Sequence, residues 1–291
     1  MFERLLSQVT KVIRQSLEME TISRRDGVLQ RLDPRFVFIL LLSLVVISVL
    51  LRNPLSMFLM IVLSLILAAL SKVPLGWYLK RVWLFVPLFS VAILVPSMTN
   101  LVTAGHAFGP SIHLFGSTLY LTKEGLAYAA AFTLRVGAAV SLSILMVATI
   151  GWSRLMAALA QLRFPPSFVI ILDMTYRYIH LLLDTVANMF MARKSRMVGR
   201  PSKAEIREIG GSSVTNLFNK SYRMSENVYQ AMLSRGYTGK PRVMSDLRAS
   251  KVDAVFTIAV ISFAVVVLVF DWSGSSTALH NLVAYLGVGS W

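Results

Sequence analysis

Two arginines, Arg196 and Arg235, close two amphipathic segments with one shared design: a small residue, an arginine, then a helix stop. Ser234-Arg235-Gly236 is the clearer copy. Gly236 suits the left-handed position just past a helix end. Arg235 then sits at the negative end of the helix dipole. Taken alone, this is a well-capped helix C-terminus. Ser195-Arg196, 39 residues earlier, repeats it. Two guanidinium groups projecting from paired helices form a two-pronged plug, because their planar forks pair bidentately with carboxylates and carbonyls. A third arginine, Arg135, lies about ten residues inside a long apolar run. An ionisable group at bilayer depth is a functional-site hypothesis by default. No acid lies within one turn of it, so a partner must come from another helix or another chain. Two readings stand for Arg135: a functional intramembrane residue, or a shifted span whose arginine reaches a polar pocket.

Other chemistry finds little support. Cysteine is absent, which excludes disulfides, thiolate metal sites and cysteine nucleophiles. His106 and His113 share a predicted outer loop but make an incomplete ligand set, and neither His180 nor His280 adds a local pair. The 14 methionines are scattered and read as packing residues. Gly236-Tyr237-Thr238-Gly239-Lys240 looks like a phosphate loop, but two residues separate its glycines where four are needed, and Pro241 follows the lysine. ATP is therefore expected to be hydrolysed elsewhere, with no cofactor in this chain.

The elements that must carry these residues are set by composition. Apolar residues make up 56% of the chain, charged residues 15%, and the mean hydropathy is +0.66. That is a polytopic membrane protein rather than a soluble domain. A span needs about 20 apolar residues. Phe36–Leu51, Pro54–Leu70, Val82–Thr103, Gly125–Ile150 and Val252–Phe270 qualify or nearly so. Pro87 and Pro96 predict a kink in the third. Basic residues number seven before Phe36, one at Arg52, three from Ser71 to Arg81, one from Ala104 to Glu124, sixteen from Gly151 to Lys251 and none after Asp271. High and low values alternate, which predicts five spans, a cytoplasmic N-terminus, a cytoplasmic 151–251 domain and an external C-terminus. The same pattern explains the net charge of +15 without nucleic acid. No apolar run precedes Phe36, so no cleavable leader is expected. The first 34 residues read either as an interfacial amphipathic helix built on Leu5, Val9 and Ile13, or as a loosely ordered tail.

Ser167–Met191 is apolar enough to tempt a sixth span, but it carries Asp173, Arg177, His180 and Asp184. Each would cost about 2.5–3.5 kcal/mol at bilayer depth. With Asn188 they recur at helical spacing on one face, while Phe168, Leu172, Tyr176, Ile179, Leu183, Val186 and Phe190 line the other. This predicts a long amphipathic helix with i,i+4 pairs Asp173–Arg177 and His180–Asp184, starting after Pro165-Pro166. A second is predicted from about Ser212 to Arg235, its apolar stripe running Val214, Leu217, Phe218, Ser221, Met224, Val228 and Met232. The stretch from Gly199-Arg200-Pro201 to Gly210-Gly211 reads as the connector. The expected fold is thus all-α. Its parts are an N-terminal segment (1–34), four spans (35–150), a two-helix cytoplasmic domain (151–251), a fifth span (252–270) and an external tail (271–291).

The order and spacing of several motifs resemble one family. They are Leu32-Asp33-Pro34-Arg35, Leu134-Arg135-Val136, Leu159-Ala160-Gln161-Leu162-Arg163-Phe164-Pro165, Thr175-Tyr176-Arg177-Tyr178-Ile179, Met191-Ala192-Arg193-Lys194-Ser195-Arg196 and Tyr229 through Tyr237. The chain resembles the transmembrane T component of energy-coupling factor (ECF) transporters, in its CbiQ branch. That family carries Ala-Arg-Gly at the tips of two coupling helices, which enter grooves on two ABC-type ATPase subunits. The resemblance assigns Ser195-Arg196-Met197 and Ser234-Arg235-Gly236 to those tips. Serine for alanine is a small change. Met197 for glycine weakens the expected cap and lets the first helix run on toward Gly199.

The resemblance implies partners: two ABC-type ATPases that use ATP, and a small substrate-binding membrane subunit (the S component, CbiM-like if the cargo is metal). It implies the cell membrane as location, and cobalt or nickel uptake. Two alternatives remain open at this point: a vitamin-type T component with a different substrate subunit, and a self-sufficient channel or secondary transporter. No inverted repeat marks the latter. A membrane enzyme would need converging ionisable residues at one membrane face, and few are found.

Overall fold

The computed structural model describes residues 11, 21–23, 25–82, 112–114, 117–119, 123–196, 202–239 and 250–285. Its elements are α1 (Val28–Arg31), α2 (Pro34–Leu50), α3 (Pro54–Leu70), β1 (Ile112–Leu114), β2 (Ser117–Leu119), α4 (Lys123–Ile150), α5 (Trp152–Gln161), α6 (Pro166–Arg196), α7 (Lys203–Ser234) and α8 (Lys251–Tyr285). Residues 75–82 are also helical. The chain is helical as expected. The exception among the described residues is a small antiparallel hairpin, β1–β2, pairing Ile112 with Leu119 and Leu114 with Ser117. The predicted third span, Val82–Thr103, lies outside the described residues apart from Val82. The chain divides into two compact units, Ile22–Gly151 with Leu247–Trp291, and Met1–Thr21 with Trp152–Asp246.

In the first unit, α4 packs along both α2 and α3, and α8 packs mainly on α2. Local sequence sets the helix starts. Pro34 and Pro54 open α2 and α3, where a missing N–H costs nothing. Asp33 caps α2, its carboxylate accepting from the Arg35 N–H at 3.0 Å. Val37, Leu40, Leu41 and Leu44 of α2 recur at three- and four-residue spacing and are buried against the bundle. They meet a core that includes Met57, Met60 and Leu67 of α3 and Leu142 and Leu145 of α4. Ser48, Ser64 and Ser141 are buried too, and each hydroxyl donates to a carbonyl of its own helix. Small residues of this kind let helices approach closely where lipid supplies no hydrophobic drive.

Ala129–Ile150 and Lys251–Ser273 are long and apolar enough to cross a membrane, with mean hydropathy 1.8 and 2.7. α2 and α3 are apolar but 17 residues each. Large apolar side chains cover the outside of this unit, as with Leu55, Phe58, Val255, Ile258 and Phe270. Water would make such a surface costly; lipid makes it neutral. The last helix extends beyond the predicted span end at Phe270, continuing to Tyr285.

α4 ends at Gly151, whose φ is +70°. A Cβ there would also stand 2.6 Å from the Ser23 Oγ. Both facts demand glycine.

In the second unit, α5 and α7 each pack on α6. The short α5 was not foreseen as a separate helix. α7 begins nine residues before the expected start. The cause is a capping box: Glu205 N–H donates to the Ser202 Oγ at 3.2 Å, and Ser202 N–H to the Glu205 carboxylate at 2.8 Å. A start this firm carries the helix through Gly210-Gly211, which is helical rather than connector. Two glycines there cost about 1 kcal/mol each relative to alanine.

Candidate functional site

The second tip is built as its sequence implied. Arg235 is the C-cap of α7, with φ −90° and ψ 8°. Gly236 takes φ +78°. Its N–H donates to the Leu233 carbonyl at 2.9 Å, and the Tyr237 N–H to the Met232 carbonyl at 3.0 Å. These are the two bonds of a Schellman closure, and they need a left-handed residue between them. The backbone is therefore fixed where the arginine leaves it. Arg235 and Gly236 are exposed.

The first tip ends α6. Arg193, Lys194 and Arg196 crowd its last turn, where cations suit the dipole. Ser195 and Arg196 are exposed. The closure beyond Arg196, including the expected effect of Met197, lies outside the described residues. The tips share one further detail. Ser195 Oγ donates to the Met191 carbonyl at 3.1 Å, and Ser234 Oγ to the Gln230 carbonyl at 2.9 Å. Each serine thus turns back onto its own helix, beside an arginine that has no partner among the described residues.

α6 and α7 are tied near the first tip by Arg193, whose guanidinium donates to the Ser212 Oγ at 2.7 Å. The seam of α7 is Ser213, Leu217, Ser221, Met224, Val228 and Met232, spaced four, four, three, four and four. Val214 and Phe218, expected in that stripe, are each 69% exposed. They stand one residue, or about 100°, round the helix from the seam. There they join Tyr222, Tyr229 and Leu233 in a second apolar line facing outward. An open groove of about 660 Å³ runs beside the seam, lined by Asn216, Lys220, Arg223 and Asn227 and by Met224 and Val228 of the seam itself.

On α6, Asp173, Arg177, Asp184 and Asn188 are exposed as expected. Neither expected i,i+4 pair closes to ion-pair distance, whereas Arg35 and Asp33 do, at 3.7 Å. Exposed pairs gain only a few tenths of a kcal/mol, too little to fix two mobile side chains. His180 instead turns edge-on to Tyr176 with centroids 4.8 Å apart, and Tyr176 stacks on Trp152 at 4.7 Å. The sequence showed these rings but not that α5 would bring Trp152 to them.

Arg135 projects from α4 to the end of α2, where its guanidinium donates to the Leu51 carbonyl at 2.9 Å. The partner is a backbone group of another helix, not an acid. Among the described residues, no three His, Asp or Glu groups gather as a metal site.

The comparisons with known proteins converge. The family model described as cobalt transport protein, CbiQ, matches residues 26–245. Two uncharacterized proteins of Methanocaldococcus jannaschii are similar over most of their lengths. MJ1571 is 35% identical over 271 residues, covering 93% of this chain and 92% of its own. MJ1089 is 26% identical over 252 residues, covering 83% and 89%. The matched region holds both tips, Arg135 and the whole of α2 through α7, so the chain belongs to the CbiQ cobalt transport protein family.

Proposed function

We propose that this chain is the membrane-embedded coupling subunit of an ECF-type ABC importer, passing ATPase motion to a separate substrate-binding membrane subunit. The observation that carries this reading is the pair of matching helix ends. Each presents an exposed arginine beside a serine folded back on its own helix. An exposed cation at a helix end, without a partner among the described residues, suits reception by another surface. The two arginines dock in grooves on two ATPase subunits. Closure of those subunits on ATP moves α6 and α7, and the helices carry the motion onward, as rigid elements do when they couple distant sites. Cobalt, or the similar ion nickel, is the cargo this reading favours, because the family model is described as a cobalt transport protein. A small CbiM-like S component then binds the metal. The complex sits in the cell membrane, with five spans, a cytoplasmic N-terminus and cytoplasmic tips.

The test is co-purification of the tagged chain from gently solubilised membranes. Wild type is expected to bring down ABC-type ATPases and a small membrane protein. The Arg196→Glu/Arg235→Glu variant should keep the membrane protein and lose the ATPases. A wild-type chain that comes down alone, or a variant that retains its ATPases, would refute the docking role.

A further inference from the structure

α2 and α3 are each 17 residues, about 25 Å long, against a hydrocarbon layer of about 30 Å. Helices this short leave free N–H and C=O groups at their termini that favour protein partners wherever lipid rather than water surrounds them. At every end of this hairpin a side chain from elsewhere in the chain supplies one. At the start of α2, the Asp33 N–H donates to the Asp253 carboxylate of α8 at 3.2 Å. At its finish, the Leu51 carbonyl accepts from Arg135 of α4. Ahead of α3, the Arg52 and Asn53 N–H groups donate to the Asp271 carboxylate of α8 at 2.8 and 2.9 Å. After α3, the Ser71 carbonyl accepts from Gln30 at 2.9 Å and the Lys72 carbonyl from Arg25 at 3.2 Å. Acids meet helix N-termini and cations meet C-termini, the arrangement that dipoles favour. Asp253 and Asp271 are 8% and 2% exposed. They lie 18 residues apart on one helix, about 27 Å, which carries them to opposite ends of α2. Arg52 adds a second contact at that end, 5.7 Å over the Trp272 ring.

We propose that Arg135, Asp253 and Asp271 are positioning residues that fasten α2, α3, α4 and α8 into one block, and that this block keeps its shape throughout transport. Sliding α8 or α4 against the hairpin would strip these backbone groups of their partners. The motion that drives cargo is then accommodated outside these contacts. This rests on the transport reading above for its link to uptake, while the fastening itself does not.

The chain has no native cysteine, so a pair at Arg52 and Trp272 can be joined by a short bismaleimide in the assembled complex. The joined chain is expected to keep at least half of the uptake of its singly alkylated controls. A fall below one tenth would overturn the block, because it would mean that α8 and the hairpin part during the cycle. Absent uptake in the unsubstituted chain would count against the transport reading instead, and amide exchange on the full-length chain alone then decides the fastening. Asp271→Asn should speed exchange at Arg52 and Asn53 at least tenfold without changing exchange at Ser234 and Gly236. Unchanged exchange at Arg52 and Asn53 would refute the role of Asp271. For Arg135, the Lys variant should keep uptake per ATP hydrolysed, and the Met variant should lose it by at least tenfold. Equal ratios in the two variants would overturn its positioning role.

Discussion

The ends of α2 and α3 and the ends of α6 and α7 are treated in opposite ways. Around the α2–α3 hairpin, side chains from three other segments satisfy the terminal backbone groups. At the ends of α6 and α7, the terminal backbone is closed locally where it is described, and the arginines beside it have no partner among the described residues. Polar groups that must be satisfied by the chain itself are found where lipid surrounds the helices. Polar groups held ready for a partner are found on the helices that carry charge. On the coupling reading proposed above, the difference separates residues that build from residues that act. Arg135, which reaches the Leu51 carbonyl from the middle of α4, then belongs with the first group, and Arg196 and Arg235, at the ends of their own helices, with the second.

Substitutions break that contrast in a graded way. Reversing Arg196 and Arg235 to glutamate should have the largest effect. Losing a docked, hydrogen-bonded charge costs about 2–5 kcal/mol. ATPase co-purification and uptake should both vanish, while thermal unfolding of the chain in detergent stays as in wild type. Asp271→Ala should do the reverse. It leaves the part-buried Arg52 and Asn53 N–H groups without their shared acceptor, at about 1 kcal/mol each, and should lower the unfolding midpoint. Gly151→Ala meets the Ser23 Oγ and a positive φ, and should destabilise the chain by about 1–3 kcal/mol in the same assay. Gly210→Ala should stabilise α7 by about 1 kcal/mol, since nothing lies within 4 Å of the added Cβ; slower amide exchange around residue 210 would register it. Asp173→Asn should change stability by less than about 0.5 kcal/mol, because its expected ion pair is not formed.

Much of the membrane part was readable in advance. α3 matches its predicted limits, and α2 starts two residues before its expected first residue. Apolar runs of span length with proline at their starts leave few alternatives. The second tip was also legible, because Ser-Arg-Gly encodes its own closure in three residues. What escaped was non-local or required weighing one local signal against another. Gly210-Gly211 looked like a connector, yet the Ser202–Glu205 box, itself visible as Ser-x-x-Glu, outweighs the two glycines. Val214 and Phe218 were drawn into the buried stripe on hydrophobicity, but a helix with two apolar lines does not say which faces inward. Leu51 could not be named as the partner of Arg135, since a backbone carbonyl 84 positions away leaves no mark in composition or spacing. Asp253 and Asp271 were visible as acids at the two limits of the cleanest apolar run; their role needed the packed hairpin.

The most direct measurement is crosslinking from beside the second tip in living cells. Tyr237, two residues past Arg235, is replaced by a photoreactive benzoylphenylalanine, which preserves its aromatic character and leaves the arginine in place. A control carries the same group at Phe58, on the outward apolar face of α3. The account predicts an adduct between position 237 and an ABC-type ATPase that disappears with Arg235→Glu, and no ATPase adduct at position 58. An adduct at 237 that forms regardless of Arg235, or no ATPase adduct there while the chain supports uptake, would contradict it.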